Sequence, residues 1–324
     1  MAIAVALPKF KELKDGDIAA TFVVPAPGGC NLNCPFCVIR LRREASVQSL
    51  TLPDYVGFVD EMCRNHQVAL VSVQGYEPLL PESWEYSSAI LERGLAFGID
   101  TALVTNGTYL EDRVLDLTRL DITAVTVSLD SADPVLHDLA RGTQGAFDAT
   151  IRGLKAACAS PLRDRLMIAS VLQRGKAHYL WGMPRLLASL GIRQWVVTPM
   201  YKVGRTETGG PSDDAETIVF QLRRLNKTAR EHGIDLFVDD EFGDLVEVMD
   251  VIPSRESMRV RRSAKLGQIV RLSPNGACSM GDDILRRTDA GLPTWQPEVE
   301  AAGDFIRRIV APRIKVEAAS AATA

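Results

Sequence analysis

Three cysteines, Cys30, Cys34 and Cys37, lie within the eight-residue stretch CNLNCPFC near the start of the chain. Thiols this close together are disulfide halves, buried apolar side chains, redox thiols or metal ligands. The chain has 324 residues, which is long enough to bury a large core without disulfide bonds. Dense disulfide frameworks belong to short secreted chains. The triplet therefore favours a metal-binding or catalytic role.

Composition and termini narrow the class of protein further. The apolar start, residues 2–7, is short and lacks the basic leader of a signal peptide. Apolar runs are too short for a transmembrane helix. Lys plus Arg total 37 against 41 for Asp plus Glu, a net charge of −4, which argues against nucleic-acid and membrane-surface partners. We therefore expect a cytoplasmic, globular protein.

The cysteine count limits which metal centre fits. A structural zinc site needs four ligands, yet no second C-x-x-C pair is present and Cys63, Cys158 and Cys278 stand alone. Iron–sulfur clusters are also held by thiolates, usually four of them. Three thiolates on a four-iron cluster would leave one iron open to a substrate or cofactor. The alternative is three buried or redox thiols without a cluster.

Hydrophobic patterning predicts alternating strands and helices. Short apolar runs predict strands at 20–24, 68–73, 101–104, 123–129, 166–172 and 193–198, and amphipathic spacing predicts helices at 53–66, 84–97, 146–158 and 179–190. Six strands separated by helices predict an α/β fold with a parallel sheet that closes partly or fully into a barrel. We expect a partial (βα)6 TIM-like barrel with a C-terminal α+β cap. The expected regions are a flank at 1–18, the barrel at 19–205, a cap and substrate region at 206–317, and a disordered tail at 318–324.

Polar residues follow the predicted strands, where active sites of βα barrels lie. These segments are Gln74–Pro78, Thr105–Gly107, Ser128–Ser131, Gln173–Arg174 and Thr198–Tyr201. Each also has a structural interpretation. Thr-Asn-Gly is an ordinary turn, Ser128 or Asp130 caps the next helix, and Arg141 forms a surface ion pair with Asp138.

The three cysteines, with Phe36 before the last, resemble the cluster-binding motif of radical S-adenosylmethionine (radical SAM) enzymes. Gly75-Tyr76-Glu77-Pro78 is similar to the Gly-Gly-Glu-Pro motif of that family, with Tyr76 in place of the second glycine. Residues 105–108, 127–131 and 137–147 also resemble family segments. The resemblance covers roughly residues 20–205 and is nearest to the SPASM and MoaA-type branch, without the cysteines for auxiliary clusters.

The resemblance implies a set of cofactors and site residues. One 4Fe-4S cluster would be held by Cys30, Cys34 and Cys37. S-adenosylmethionine (SAM) would contact residues at the strand ends, with Glu77 and the Gly75 backbone at the methionine amino group, Ser128 and Asp130 at the ribose, and Arg174 at the carboxylate. Phe36, Tyr76 and Asn106 complete the expected cofactor-binding set. A flavodoxin or ferredoxin is the expected reductant.

The resemblance also implies a reaction type. Cleavage of SAM at the cluster would give a 5′-deoxyadenosyl radical that abstracts hydrogen from a substrate. The short N-terminal flank leaves no room for a leader-peptide-binding domain, so we expect a small molecule (a sugar, nucleoside or amino-acid-like compound) in natural-product or cofactor biosynthesis. The alternatives are a peptide-modifying maturase with a separate recognition protein, and a non-enzymatic iron–sulfur module that senses redox state or binds a partner.

Cys278 has two interpretations. A thiol near a radical site donates a hydrogen atom to a substrate radical in some enzymes, which makes Cys278 a candidate catalytic residue. The alternative is a small buried side chain beside the Asn275-Gly276 turn, since burial is the commonest fate of cysteine outside disulfides.

Overall fold

A computed structural model describes residues 16–37, 39, 48–200, 215–239, 259–261, 269–280 and 291–310. The predicted tail at 318–324 and most of the predicted flank at 1–18 lie outside these residues. No helix in the described ranges combines the length and the hydropathy needed to cross a membrane.

Ten strands form one sheet in the order β10-β9-β1-β2-β3-β4-β5-β6-β7-β8. The strands are β1 (Ile18–Val24), β2 (Val68–Gly75), β3 (Asp100–Thr105), β4 (Ala124–Ser128), β5 (Leu166–Leu172), β6 (Gln194–Pro199), β7 (Asp235–Asp239), β8 (Arg259–Arg261), β9 (Ile269–Leu272) and β10 (Cys278–Met280). All neighbours pair in parallel except β9 and β10. The six predicted strands are thus confirmed as β1–β6, in an open sheet with no pairing between β8 and β10 in the described residues.

Helices connect the parallel strands, as parallel pairing requires. They are α1 (Leu52–Asn65), α2 (Pro81–Ala96), α3 (Leu110–Arg119), α4 (Pro134–Arg141), α5 (Ala146–Cys158), α6 (Met183–Leu190) and α7 (Ala215–Glu231), with α8 at residues 302–310. Local signals explain where several begin: a Thr51–Asp54 capping box starts α1, and the Asp133 carboxylate accepts from Leu136 N at α4.

The predicted helix over 179–190 is wrong in its first turn. Residues Ala177–Leu180 form a separate 3₁₀ turn, and α6 begins only at Met183. Gly182 lies between the 3₁₀ turn and α6. A side chain does not fit at this position, since a Cβ there would be 2.9 Å from Ala132 Cβ. Pro184 in the first turn of α6 is compatible with a helix start and not with a helix interior.

The hydrophobic core lies between the sheet and its helices. Phe22 of β1 makes edge-to-face contacts with Tyr55 and Phe58 of α1. Phe58 in turn contacts Trp295 and Phe305, so the C-terminal residues and α8 pack on the same core. The region expected as a cap therefore also extends the sheet and its core, with β7 and β8 at one edge and β9 and β10 at the other.

Candidate functional site

The loop after β1 carries the three cysteines to the carboxyl end of the sheet. Cys30, Cys34 and Cys37 are half-buried and line one cavity. The six cysteines of the chain, all within the described ranges, form no disulfide bonds. Burial raises the pKa of Cys30 to about 12 and also raises the pKa of Cys34. These two thiols are therefore protonated at neutral pH, and metal binding would have to release their protons.

Two of the cysteine sulfurs have polar donors beside them. Leu32 N donates to Cys30 Sγ at 3.4 Å, and Asn106 Nδ2 lies 3.9 Å from the same sulfur. Arg141 Nη1 lies 4.0 Å from Cys34 Sγ. Hydrogen bonds to cysteine sulfurs stabilise the thiolate form and raise the reduction potential of a bound iron–sulfur cluster. These donors therefore offset part of the cost that burial imposes on a thiolate at Cys30 and Cys34.

The cysteine loop is fixed by contacts with the loops after β3 and after α4. Asn31 bridges Asn106 and Thr108, accepting at 2.9 Å from Asn106 Nδ2 and donating at 2.8 Å to Thr108 Oγ1. Asn33 N donates to Arg141 O at 3.1 Å. Gly142, with a φ of 65°, lies directly against the Asn33 carbonyl oxygen, so a Cβ at this position would overlap it. The loop is thus held at two points between Cys30 and Cys34.

The segment after β2 forms the adjacent wall of the cavity. Gly75 has a φ of 133°, and a Cβ on it would be 2.8 Å from Val23 Cγ1, so glycine is needed here for both conformation and space. Tyr76 also lines the cavity and has a partly exposed side chain. The substitution of the usual second glycine therefore places an aromatic phenol at the cavity edge.

Glu77 lies in the cavity lining and is fully buried. Its carboxyl group accepts from Thr105 Oγ1 at 2.6 Å, from Asn106 N at 2.7 Å and from Leu79 N at 3.0 Å. Burial raises the pKa of Glu77 to about 7, against the lowering effect of these hydrogen bonds. Glu77 thus joins the ends of β2 and β3, in addition to any contact with a ligand.

The end of β4 contributes Ser128 to the cavity lining, whereas Asp130 lies behind the wall. Asp130 Oδ2 is 2.9 Å from Arg141 Nε, and both side chains are buried. The expected surface pair between Arg141 and Asp138 is therefore wrong. Asp138 instead accepts from the backbone N–H groups of Gly145 and Phe147, at 2.6 and 2.8 Å.

The expected helix cap is also wrong, because Asp133, and neither Ser128 nor Asp130, caps α4.

Two further predicted residues lie away from the cavity lining. Arg174 is exposed in the loop after β5. Cys278 is buried in the hydrophobic core, where it is the register partner of Leu272. This is the placement expected for a structural cysteine.

The cavity lining contains most of the predicted site and one cation that the sequence did not assign to it. The predicted residues that line the cavity are Cys30, Cys34, Phe36, Cys37, Gly75, Tyr76, Glu77, Asn106 and Ser128. Arg141 lines it as well, with its guanidinium 5.6 Å from the centre of the Phe36 ring. The sequence signal for Arg141 is that it lies within the family-like segment at residues 137–147.

No three His, Cys, Asp or Glu side chains within the described ranges converge closely enough to hold a single metal ion. An iron–sulfur cluster differs from a single ion because each thiolate binds a separate iron atom. The three thiols belong to one short loop and line the same cavity, and polar donors lie beside two of the sulfurs. This arrangement is compatible with such a cluster.

Comparison with known proteins shows the family of the part of the chain that carries this site. A family model described as the radical SAM superfamily matches residues 24–176, the range that contains the cysteine loop and the carboxyl ends of β1 to β5. This part of the chain is a radical SAM domain.

Curated relatives of this radical SAM domain are named as enzymes. The chain is 33% identical over 129 residues to an AdoMet-dependent heme synthase of Methanosarcina barkeri, covering 39% of this chain and 36% of the relative. It is 30% identical over 128 residues to a probable GTP 3′,8-cyclase of Methanocella arvoryzae, covering 40% of each. The chain therefore spans less than half the length of these two relatives.

A solved structure shows the same fold. Streptococcus suis SuiB, bound to the precursor peptide SuiA, matches with a TM-score of 0.67 at 18% identity, over 89% of this chain and 64% of the other. The predicted partial-barrel fold is thereby confirmed.

Proposed function

We propose that this protein is a radical SAM enzyme that binds one 4Fe-4S cluster through Cys30, Cys34 and Cys37 and cleaves SAM reductively. The observation that supports this most strongly is that all three thiols line the cavity formed by the strand ends. A cluster held there would supply the electron for cleavage of SAM to methionine and a 5′-deoxyadenosyl radical. With three protein ligands, such a cluster would keep one iron available to the amino and carboxylate groups of SAM.

The chain binds and orients the methionine end of SAM. Gly75 brings the backbone close to the ligand, and Glu77 beside it supplies a carboxyl group that is ionised at about pH 7 and above. At the opposite wall, Ser128 and Arg141 face the cavity. Because Arg141 lines the cavity and Arg174 is exposed outside it, we propose Arg141 as the residue that binds the SAM carboxylate.

Apolar residues of the β5 and β6 ends close the far side of the cavity. Val171, Pro199 and Met200 line it there, together with the Thr198 hydroxyl. These side chains would exclude water from the reacting atoms and leave room for the nucleoside part of SAM. Exclusion of water protects a reactive radical from side reactions.

We propose a small molecule as the substrate. This is supported by the two curated relatives, whose names give heme synthesis and GTP cyclisation as their activities. SuiB was solved with a precursor peptide, but at 18% identity this likeness bears on the fold alone. A low-potential flavodoxin or ferredoxin as the reductant, and location in the cytoplasm, are parts of the same proposal.

Formation of 5′-deoxyadenosine tests the proposal. The anaerobically reconstituted protein, incubated with SAM and dithionite, should produce 5′-deoxyadenosine, and Cys34→Ala should abolish the product. Cys63→Ala is the matched control, since Cys63 lies on α1 and does not line the cavity. Absence of product from wild-type protein with a full cluster, with and without cell extract, would contradict the proposal.

Fractionated extract separates the two substrate classes. If the substrate is a small molecule, the fraction of cell extract that passes a small-pore membrane should increase 5′-deoxyadenosine formation. Stimulation by the retained peptide fraction alone would favour the peptide-modifying alternative.

A further inference from the structure

Asp130 and Arg141 form a buried ion pair behind the cavity wall. Asp130 Oδ2 lies 2.9 Å from Arg141 Nε, and the two side chains are 1% and 7% exposed. Only Arg141 of the two reaches the cavity lining. A buried guanidinium is costly without a counter-charge, and Asp130, which does not line the cavity, provides that charge.

The guanidinium of Arg141 has a defined orientation. Its Nε lies 2.9 Å from Asp130 Oδ2 in an ion pair without the alignment of a hydrogen bond, and its Nη1 lies 4.0 Å from Cys34 Sγ. Its Cζ lies 5.6 Å from the centre of the Phe36 ring. Contacts with Asp130, Cys34 and Phe36 on different sides restrict where a planar guanidinium can lie. Arg141 thus lies beside the cysteine loop and in the cavity lining.

Asp130 is itself held on both its backbone and its side chain. Val171 N donates to Asp130 Oδ1 at 2.9 Å, which fixes the carboxylate to β5. Asp130 N donates to His137 Nδ1 at 3.2 Å, which fixes the backbone to α4. The carboxylate is therefore occupied by Val171 and Arg141. Groups placed in this way behind a ligand typically orient the residue that makes the contact.

We infer that Asp130 is a positioning residue: it holds the Arg141 guanidinium beside Cys34 so that Arg141 binds the carboxylate of SAM. This assignment rests on the proposed function and replaces the ribose contact that the sequence suggested for Asp130. It predicts that Asp130 acts on SAM binding through Arg141 and has no separate effect on the nucleoside part.

A double-mutant cycle on the full-length, reconstituted protein tests this. Dissociation constants are measured anaerobically for SAM and for decarboxylated SAM, which lacks the carboxylate, with Asp130→Asn, Arg141→Gln and the double variant. We expect each single variant to weaken SAM binding by about tenfold to a hundredfold. The double variant should bind SAM no more weakly than Arg141→Gln alone. Decarboxylated SAM should bind with the same affinity to all four proteins.

Asp133→Asn is the matched control. It removes a carboxylate from the same loop, where Asp133 caps α4 and makes no ion pair with Arg141. Asparagine caps a helix as well as aspartate does. Both dissociation constants should therefore remain at the wild-type values.

Different results identify different failures. Additive losses in the double variant, or an equal loss of affinity for decarboxylated SAM in Asp130→Asn, would overturn the inference and favour a ribose contact. Asp130→Asn leaves Arg141 unpaired and could fail to fold for that reason. In that case the affinities of Arg141→Gln and the double variant for SAM still test whether Asp130 acts only through Arg141. Wild-type protein that binds no SAM would overturn the proposed function and this inference together, whereas failure of the inference alone appears only in the variants.

Discussion

At the scale of the residue, one glycine controls how closely α4 approaches the cysteine loop. Gly142 ends α4 in the left-handed region, and its α carbon faces the carbonyl oxygen of Asn33. Asn33 immediately precedes Cys34, so the position of this glycine determines where the middle cysteine lies.

Gly142→Ala should therefore be strongly destabilising. We expect a loss of roughly 3 kcal/mol in the free energy of unfolding, because the added methyl group overlaps Asn33 and the left-handed backbone is strained. Gly145→Ala is the control, since Gly145 has a φ of 81° but nothing within 4 Å of the added Cβ. It should cost only about 1 kcal/mol. Equal losses in urea unfolding would show that the contact with Asn33 has no effect.

A buried histidine predicts how stability depends on pH. His137 is fully buried, and burial together with nearby Arg141 lowers its pKa from 6.5 to about 3. The unfolded chain therefore binds a proton between these values that the folded chain does not. The stabilising contribution is complete above pH 6.5 and is lost as the pH falls toward 3.

His137→Asn tests whether His137 causes the loss of stability at low pH, because an asparagine oxygen can accept from Asp130 N without titrating. Urea unfolding of the metal-free protein between pH 7 and pH 4 should show a smaller loss of stability in the variant than in the wild type. The exposed His178→Asn is the control for removing a histidine. A variant that loses stability as steeply as the wild type would contradict the account of His137.

Sequence predicted much of the site because its residues lie in short segments directly after strands. Arg141 shows what such reasoning misses. It approaches Cys34 from 107 residues away, and its partner Asp130 was placed at the ribose. Which acid pairs with a buried cation depends on how β4, α4 and the cysteine loop pack together, and that is not encoded in local spacing.

At the scale of the element, close packing between α3 and α5 supports the loop after β3. Gly153 of α5 faces the turn that starts α3, and a Cβ there would lie 2.6 Å from Gly107 O and 2.8 Å from Leu110 Cβ. Thr150, one turn earlier, donates to Asn106 O at 2.9 Å. This helix contact therefore connects directly to a residue of the cavity lining.

Gly153→Ala should destabilise the protein by about 1 to 3 kcal/mol, although alanine has the higher helix propensity. Gly57→Ala in α1 provides the comparison, because nothing lies within 4 Å of its added Cβ. There we expect a gain of about 0.5 to 1 kcal/mol. Thermal unfolding of both variants measures whether each substitution lowers or raises the stability of the protein. A stabilising Gly153→Ala would show that the helices separate without cost.

The strands and the helices differed in how well sequence predicted them. Each of β1–β6 is a short and largely apolar run, as is typical of a buried parallel strand. Helix α4 was not predicted because it spans only eight residues, too few to establish a helical period. Helix α3 was also missed, although Leu110, Val114 and Leu117 are buried at helical spacing.

At the scale of the whole molecule, the C-terminal residues complete the sheet around the radical SAM domain. Strand β9 pairs in parallel with β1, and Ala19 is the register partner of Ile269. Strand β1 leads into the cysteine loop and is therefore covered on both edges, by β2 and by β9. Pairing between the two ends of the chain is not legible in local sequence, which suggested a separate cap.

The central claim is that Cys30, Cys34 and Cys37 hold a cluster with one open iron at the SAM cavity. The most direct test is the electron paramagnetic resonance spectrum of the reduced, anaerobically reconstituted protein with and without SAM. We predict about four iron and four sulfide per chain, a spectrum that changes when SAM is added, and loss of the signal in Cys34→Ala. A full cluster whose spectrum is unaffected by SAM, or the same signal in Cys34→Ala, would contradict the account.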